Sequence, residues 1–202
     1  MSKLGSLIDG DRINLERISF LLVDENEQSL DIMGQIVSGF GARTMVKCRN
    51  LLEAMETIEE MPIDFVLADA HLRDEDGATF ARWLRHEAAE PSRFAPTVMV
   101  TADSRTSIVQ RARDDGAHFV IAKPLTPKVL LQRIMWMARE NREFINSGSY
   151  AGPDRRFKRL GPPPGTKGRR SADRAVKLTG PGEPNLSQDE INALMKPAKV
   201  TI

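Results

Sequence analysis

The chain has 202 residues, with 29 Lys and Arg against 28 Asp and Glu. That length allows one domain plus an appendage, and a formal net charge of +1 gives the molecule as a whole no bias toward a polyanion. The opening MSKLGSLIDGDR has no apolar core of a secretory signal, no apolar run approaches the ~20 residues of a membrane helix, and the one cysteine, Cys48, excludes an internal disulfide. These features predict a cytoplasmic protein without a membrane span, and Cys48 is expected to be a small core residue.

Residues 1–16 read as an N-terminal extension. From residue 17 to 146, short apolar runs alternate with amphipathic ones. ISFLLV (18–23) is a continuous β-rich run. EQSLDIMGQIVSGF then puts Leu30, Met33, Val37 and Phe40 at helical spacing before Gly41. RTMVKC is a weaker strand, followed by NLLEAMETIEEM, a helix with Asn50 as cap. DFVLAD is a third strand, and GATFARWLRHEAA a helix with Phe80, Trp83 and Leu84 on one side. APTVMVTA is a fourth strand, and RTSIVQRARDDG a helix closed by Gly116. HFVIAK is the fifth strand. LTPKVLLQRIMWMARENREFI is the last helix, with Thr126 as cap and Pro127 at its first position. Five βα units with strands this apolar predict a parallel sheet covered on both faces. Trp83 and Trp136 lie in helical repeats and are expected to pack rather than to bind a ligand.

In such sheets the active site lies beyond the carboxyl ends of the strands. Strand one runs into Asp24 and Glu25, strand three into Asp69, strand four into Thr101 and Ala102, and strand five into Lys123 and Pro124. Three carboxylates, a hydroxyl and an amine thus converge on one edge. Clustered carboxylates repel unless a cation neutralises them. A hard oxygen cluster with room for water and phosphate oxygens suits Mg²⁺. An aspartate can attack phosphorus to form an acyl phosphate, with Lys123 and the Thr101 hydroxyl on the transferred oxygens. No Gly-rich loop follows the first strand, which disfavours a dinucleotide-binding unit.

LLVDEN, LADAHLRDEDG, VMVTA and GAHFVIAKP together resemble the bacterial response-regulator receiver domain of two-component signalling, over about residues 18–140. The resemblance implies a flavodoxin-like (βα)5 fold with sheet order 2-1-3-4-5, as the chemotaxis member has. It implies Asp69 as phosphoacceptor, Asp24 and Glu25 as Mg²⁺ ligands or ligand-positioners, and a metal contact from the His71 backbone carbonyl. Thr101 and Lys123 would bind the phosphoryl group. The donor would be a sensor histidine kinase or a phosphotransfer protein, and the chain itself would be no enzyme beyond that self-catalysed transfer. Four departures from the pattern matter, the last involving a pair of residues. Glu25 replaces the commoner aspartate, and Arg73 stands where proline is usual. Val120 holds the place of an aromatic residue that in the family swings as Thr101 moves. Phe119 next to it points to the other face. His71 and Asp103 sit where the family tunes phosphate lifetime, by an expected influence on water access.

Residues 147–185 hold 13 of the 26 Gly and Pro residues, and 154–177 carry nine Lys and Arg against two Asp, a segment charge of +7 (9 − 2). Such a stretch cannot bury a core and is expected to be a disordered linker. It is a solvated spacer or an anion-binding arm, with Arg155, Arg156 and Arg159 as the candidate contacts. Arg155 and Arg159 give an RxxxR spacing that resembles the cyclic di-GMP arginine motif, without its usual DxSxxG companion. REFI…YAGPDRR resembles the segment after the receiver in a group of single-domain regulators. No helix-turn-helix pattern follows, so nucleic acid is not the expected partner. The alternative to a phosphorylated regulator is a phosphate-independent scaffold, controlled by an anionic ligand (cyclic di-GMP, nucleic acid or lipid) on this tail.

Residues 186–197 form a short amphipathic peptide. Ser187 and Glu190 make a capping box, Leu186 and Ile191 a hydrophobic staple, and Leu186, Ile191, Leu194 and Met195 the apolar contact face. A helix this short is marginal alone, which predicts docking in a groove. NLSQDEINALM is similar to the receiver-binding N-terminal peptide of the flagellar motor switch protein, a resemblance that implies chemotaxis or motility control as the expected output. A linker of ~39 residues spans roughly 35 Å, enough to reach the chain's own receiver. Val120 nevertheless tilts the expectation to a second receiver protein, because the aromatic gate of peptide docking is missing here.

Overall fold

The computed structural model describes residues 8–9, 12–72, 75–139, 144–147, 150–154 and 184–195. The strands are β1 (Ser19–Val23), β2 (Thr44–Cys48), β3 (Phe65–Asp69), β4 (Thr97–Thr101) and β5 (Phe119–Ala122). They form one parallel sheet in the order β2-β1-β3-β4-β5, the flavodoxin-like arrangement. In β1, β3 and β4 every residue is buried, as continuous apolar runs require when helices cover both faces. β2, the weaker run, lies at an edge and is only partly buried.

The helices are α1 (Glu27–Gly39), α2 (Leu51–Glu60), α3 (Gly77–His86), α4 (Thr106–Asp114) and α5 (Pro127–Arg139). Local chemistry fixes their starts. Asn26 accepts the amides of Gln28 and Ser29, and Asn50 accepts that of Glu53. Thr126 accepts the Val129 amide just ahead of Pro127. Gly41 and Gly116 leave α1 and α4 at φ +92° and +97°, backbone open mainly to glycine. Leu30, Met33 and Val37 of α1 are buried, as are Phe80 and Leu84 of α3. Trp83 stacks on Phe80, and Trp136 meets Phe119 edge-on at 4.8 Å, so both indoles serve packing. Cys48 is buried, and burial raises its thiol pKa.

Two features depart from the sequence expectation. The last helix was expected to run to residue 145, but it ends at Arg139, and Phe144–Ser147 (β6) pairs antiparallel with Tyr150–Pro153 (β7). The expected linker start at 147 therefore falls inside a hairpin whose second strand is fully buried. The reason is a tertiary one. Arg85, with no exposed surface, donates from its guanidinium to Gly116 O, Arg93 O, Ala95 O and Thr97 Oγ1 at 2.6–3.1 Å. Phe144 lies over that guanidinium, edge-on to Phe94. Burial pulls the Arg85 pKa down to about 10, so it stays charged at neutral pH. Gly152 passes so close to Tyr150 that a Cβ there would sit 2.6 Å from the tyrosine oxygen.

The second departure is at the C-terminus. Gln188–Met195 (α6) packs on the chain's own α4 and β5. The expectation of a second receiver as host is corrected by this contact. Residues 155–183, including Arg155, Arg156 and Arg159, lie outside the described residues, as do Arg73 and the expected helix stop at Pro197.

Candidate functional site

Because all five strands are parallel, their carboxyl ends share one edge, and the register brings Val23 beside Cys48, Asp69 beside Val100, and Thr101 beside Ala122. Asp24 leaves β1 with 1% exposure, Asp69 ends β3 with 7%, and Thr101 ends β4 fully buried. Lys123 follows β5 and reaches across. Its Nζ donates to Asp69 Oδ2 at 2.5 Å and to Asp24 Oδ2 at 3.0 Å. The second oxygens are held by backbone: Asp24 Oδ1 accepts the Asn26 amide and Asp69 Oδ1 the His71 amide, both at 2.9 Å. Glu25 is half-buried at the same edge and His71 is exposed.

One ammonium thus faces two buried carboxylates. Burial raises the Asp69 pKa, and the nearby Asp24 charge adds to it, against the opposing pull of Lys123 and the His71 amide. Burial by itself would lower the Lys123 pKa, but the hydrogen bonds and charges of Asp69 and Asp24 outweigh it and hold the pKa above the ordinary value. The pair leaves one negative charge unbalanced, which favours an added cation. Among the described residues no three His, Cys, Asp or Glu side chains form a ready metal cage. That is compatible with Mg²⁺, which is held by one or two carboxylates and completed by water and phosphate oxygens.

Above Asp69 opens a cleft of about 490 Å³, lined by Asp69, His71, Ala102, Asp103, Arg105 and Asn185. Arg105 donates to the Asp103 carboxylate, and those hydrogen bonds hold the Asp103 pKa below the usual carboxylate range. Thr101 Oγ1 is engaged in its own loop, donating to Asp103 O at 2.9 Å and accepting the Asp103 amide at 3.0 Å. Gly77 supports the floor. A Cβ there would meet Asp69 O at 2.5 Å and Ala70 Cα at 2.9 Å.

Sequence reasoning placed Asp24, Asp69, Thr101 and Lys123 at this edge, and the structure joins Asp24, Asp69 and Lys123 directly. It missed Gly77, whose constraint is a close backbone approach, and Asn185, which comes from the far end of the chain. A buried aspartate at the end of the central strand of a (βα)5 sheet, with an acidic neighbour and a lysine bridging both, defines an aspartate-centred receiver. Residues 20–135 match the response regulator receiver domain family, and the chain belongs to it. It is 27% identical over 116 residues to the polar-differentiation response regulator DivK of Brucella anthropi, covering 57% of this chain and 92% of that one. The fold is similar to that of a chain in the crystal structure of the CheX–CheY–BeF3–Mg²⁺ complex from Borrelia burgdorferi (TM-score 0.56, 22% identity, 68% of this chain and all of that one). It is also similar to a response regulator from Burkholderia pseudomallei with a phosphorylated aspartic acid, calcium ion and citrate (TM-score 0.52, 22% identity, 58% and 66% coverage).

Proposed function

We propose that this chain is a response regulator that accepts a phosphoryl group on Asp69 from a sensor histidine kinase or phosphotransfer protein, and signals through protein contacts. The observation that carries this is the Lys123 bridge between Asp24 and Asp69, the latter lining an open cleft. An Asp69 carboxylate oxygen attacks phosphorus, the bond from phosphorus to the donor atom breaks, and the donor leaves with that electron pair. The product is an acyl phosphate on Asp69. Lys123 stays protonated and stabilises the transferred oxygens, and the Thr101 hydroxyl turns from Asp103 toward them. Asp24 and Asp69 would hold Mg²⁺, with Glu25 and the His71 carbonyl as the further expected contacts; the bound ion would neutralise charge on the phosphoryl oxygens. His71 and Asp103 at the cleft mouth govern water access to the acyl phosphate.

The likeness to the polar-differentiation regulator covers the receiver alone, so it speaks to this chemistry and not to the output. The terminal peptide favours chemotaxis or motility control. The test is intact-mass measurement after acetyl phosphate and Mg²⁺. The wild type is expected to gain one phosphoryl mass, and Asp69→Asn none. No gain on the wild type overturns the proposal in favour of the phosphate-independent scaffold.

A further inference from the structure

The α6 segment does more than rest on the surface. Ile191 is fully buried and Met195 nearly so, with Leu186 and Leu194 packed against the same core. Polar anchors fix its register. The Gln188 side-chain amide donates from Nε2 to Val120 O at 3.2 Å and accepts the Ala122 amide on Oε1 at 2.9 Å. It thereby pairs with β5, an edge strand, as a neighbouring strand would. Arg113 of α4 donates to Leu194 O at 3.1 Å near the helix end. Ahead of α6, Ser104 makes three bonds to the tail: its amide donates to Asn185 Oδ1 (3.0 Å), its hydroxyl to Leu186 O (2.7 Å), and its carbonyl accepts the Leu186 amide (3.0 Å). The Ser187–Glu190 capping box is formed as well, with Ser187 N donating to Glu190 Oε2 at 2.8 Å. None of these polar anchors needs an aromatic at 120, because Gln188 grips backbone, not the Val120 side chain.

Ser104 stands three residues after Thr101. The loop that the tail clamps is the loop that holds the Thr101 hydroxyl against Asp103. A phosphoryl group on Asp69 brings new acceptor oxygens, and Thr101 is the hydroxyl at the adjoining strand end. To reach them it must give up both bonds to the Asp103 backbone, next to the Ser104 that the tail clamps. Asn185 also lines the cleft over Asp69.

We propose that Asn185–Met195 is a plug of the groove between α4 and β5, registered by Gln188, and that its seating and the phosphorylation of Asp69 oppose one another through the Thr101–Ser104 loop. The coupling rests on the phosphoacceptor role proposed for Asp69; the plug itself does not. Coupling is reciprocal: whatever the tail takes from phosphorylation, phosphorylation takes from tail seating. The released groove then presents Val120 O and Ala122 N, and the tail is free as a ligand.

The experiment uses the full chain with the Gln188→Ala and Ile191→Asp variants, whose side chains come from the tail and not from the sheet. Hydrogen exchange of amides 191–195 is followed with and without Mg²⁺ and beryllofluoride, together with the rate of phosphorylation by acetyl phosphate. The wild-type amides are expected to be protected at all protein concentrations, and beryllofluoride to cut that protection about fivefold or more. Both variants are expected to lose protection and to phosphorylate about fivefold faster. Unprotected wild-type amides, or protection that rises with concentration, overturn the plug. Equal phosphorylation rates in all three chains, or tail protection that beryllofluoride leaves unchanged or increases, overturn the coupling alone. If no form takes a phosphoryl group, the function proposed for Asp69 falls and the coupling with it, while exchange in the untreated chains still decides the plug.

Discussion

Lys123→Met removes the one cation that Asp24 and Asp69 share while keeping the length of the stem. Both carboxylates are then left at 1% and 7% exposure with only backbone amides for partners among the described residues. Stripping one member from a buried ion pair costs about 3–5 kcal/mol. The Lys123 side chain is 28% exposed, so water screens part of the interaction, and about 2–3 kcal/mol is the expected loss near neutral pH. The pH dependence carries the sharper signature. Asp69 already has a raised pKa from burial, so the folded state binds more protons than the unfolded one above the ordinary carboxylate range. Stability therefore falls as pH rises through the window from the unfolded carboxylate value to the folded Asp69 value. Without Lys123 that value moves further up, and the window widens toward neutrality. The deficit of the variant should be largest near pH 7.5 and shrink toward pH 5, as one carboxyl takes a proton. Mg²⁺ should recover part of it, because a ligand of the folded state alone stabilises by mass action. Urea unfolding followed by circular dichroism, at both pH values and with and without Mg²⁺, measures all of this. A variant within about 0.5 kcal/mol of wild type at neutral pH, or a deficit that does not shrink on acidification, refutes the electrostatic reasoning.

Arg85→Met keeps much of the apolar stem but takes a donor from the carbonyls of Gly116, Arg93 and Ala95, the last of which keeps the Thr97 hydroxyl. With relief of the buried charge offsetting part of the loss, about 3 kcal/mol should disappear from the urea unfolding free energy, and Arg85→Lys should recover only a fraction because ammonium lacks the fork. Gly77→Ala forces a methyl into the Asp69 and Ala70 backbone, where no flexible side chain can yield. It should slow phosphorylation by acetyl phosphate about tenfold or more by displacing Asp69, with a stability loss of about 1–3 kcal/mol.

Much of the site was legible because its logic is local. Parallel strands must end at one edge, so a polar residue just after each apolar run is placed by sequence alone; Asp24, Asp69, Thr101 and Lys123 follow from that. The caps Asn50 and Thr126 and the stops at Gly41 and Gly116 are equally local, since each depends on a few bonds within one turn. Hairpin β6–β7 was not legible. Its Gly, Pro and Tyr look like linker until Arg85, about 60 residues earlier, supplies a buried guanidinium for Phe144 to cover.

The sequence by itself determined the parallel sheet, the acidic edge and the terminal helix with its capping box, because hydrophobic period and capping chemistry act over a few residues. Only the tertiary structure decided where that helix goes. Its polar anchors, Asn185 and Gln188, carry no signal of their own. They gain meaning when Ser104, Val120 and Ala122, more than sixty residues away, present the backbone groups they satisfy. An unpaired edge strand and an amphipathic helix too short to stand alone each leave groups unsatisfied, and the fold brings the two together.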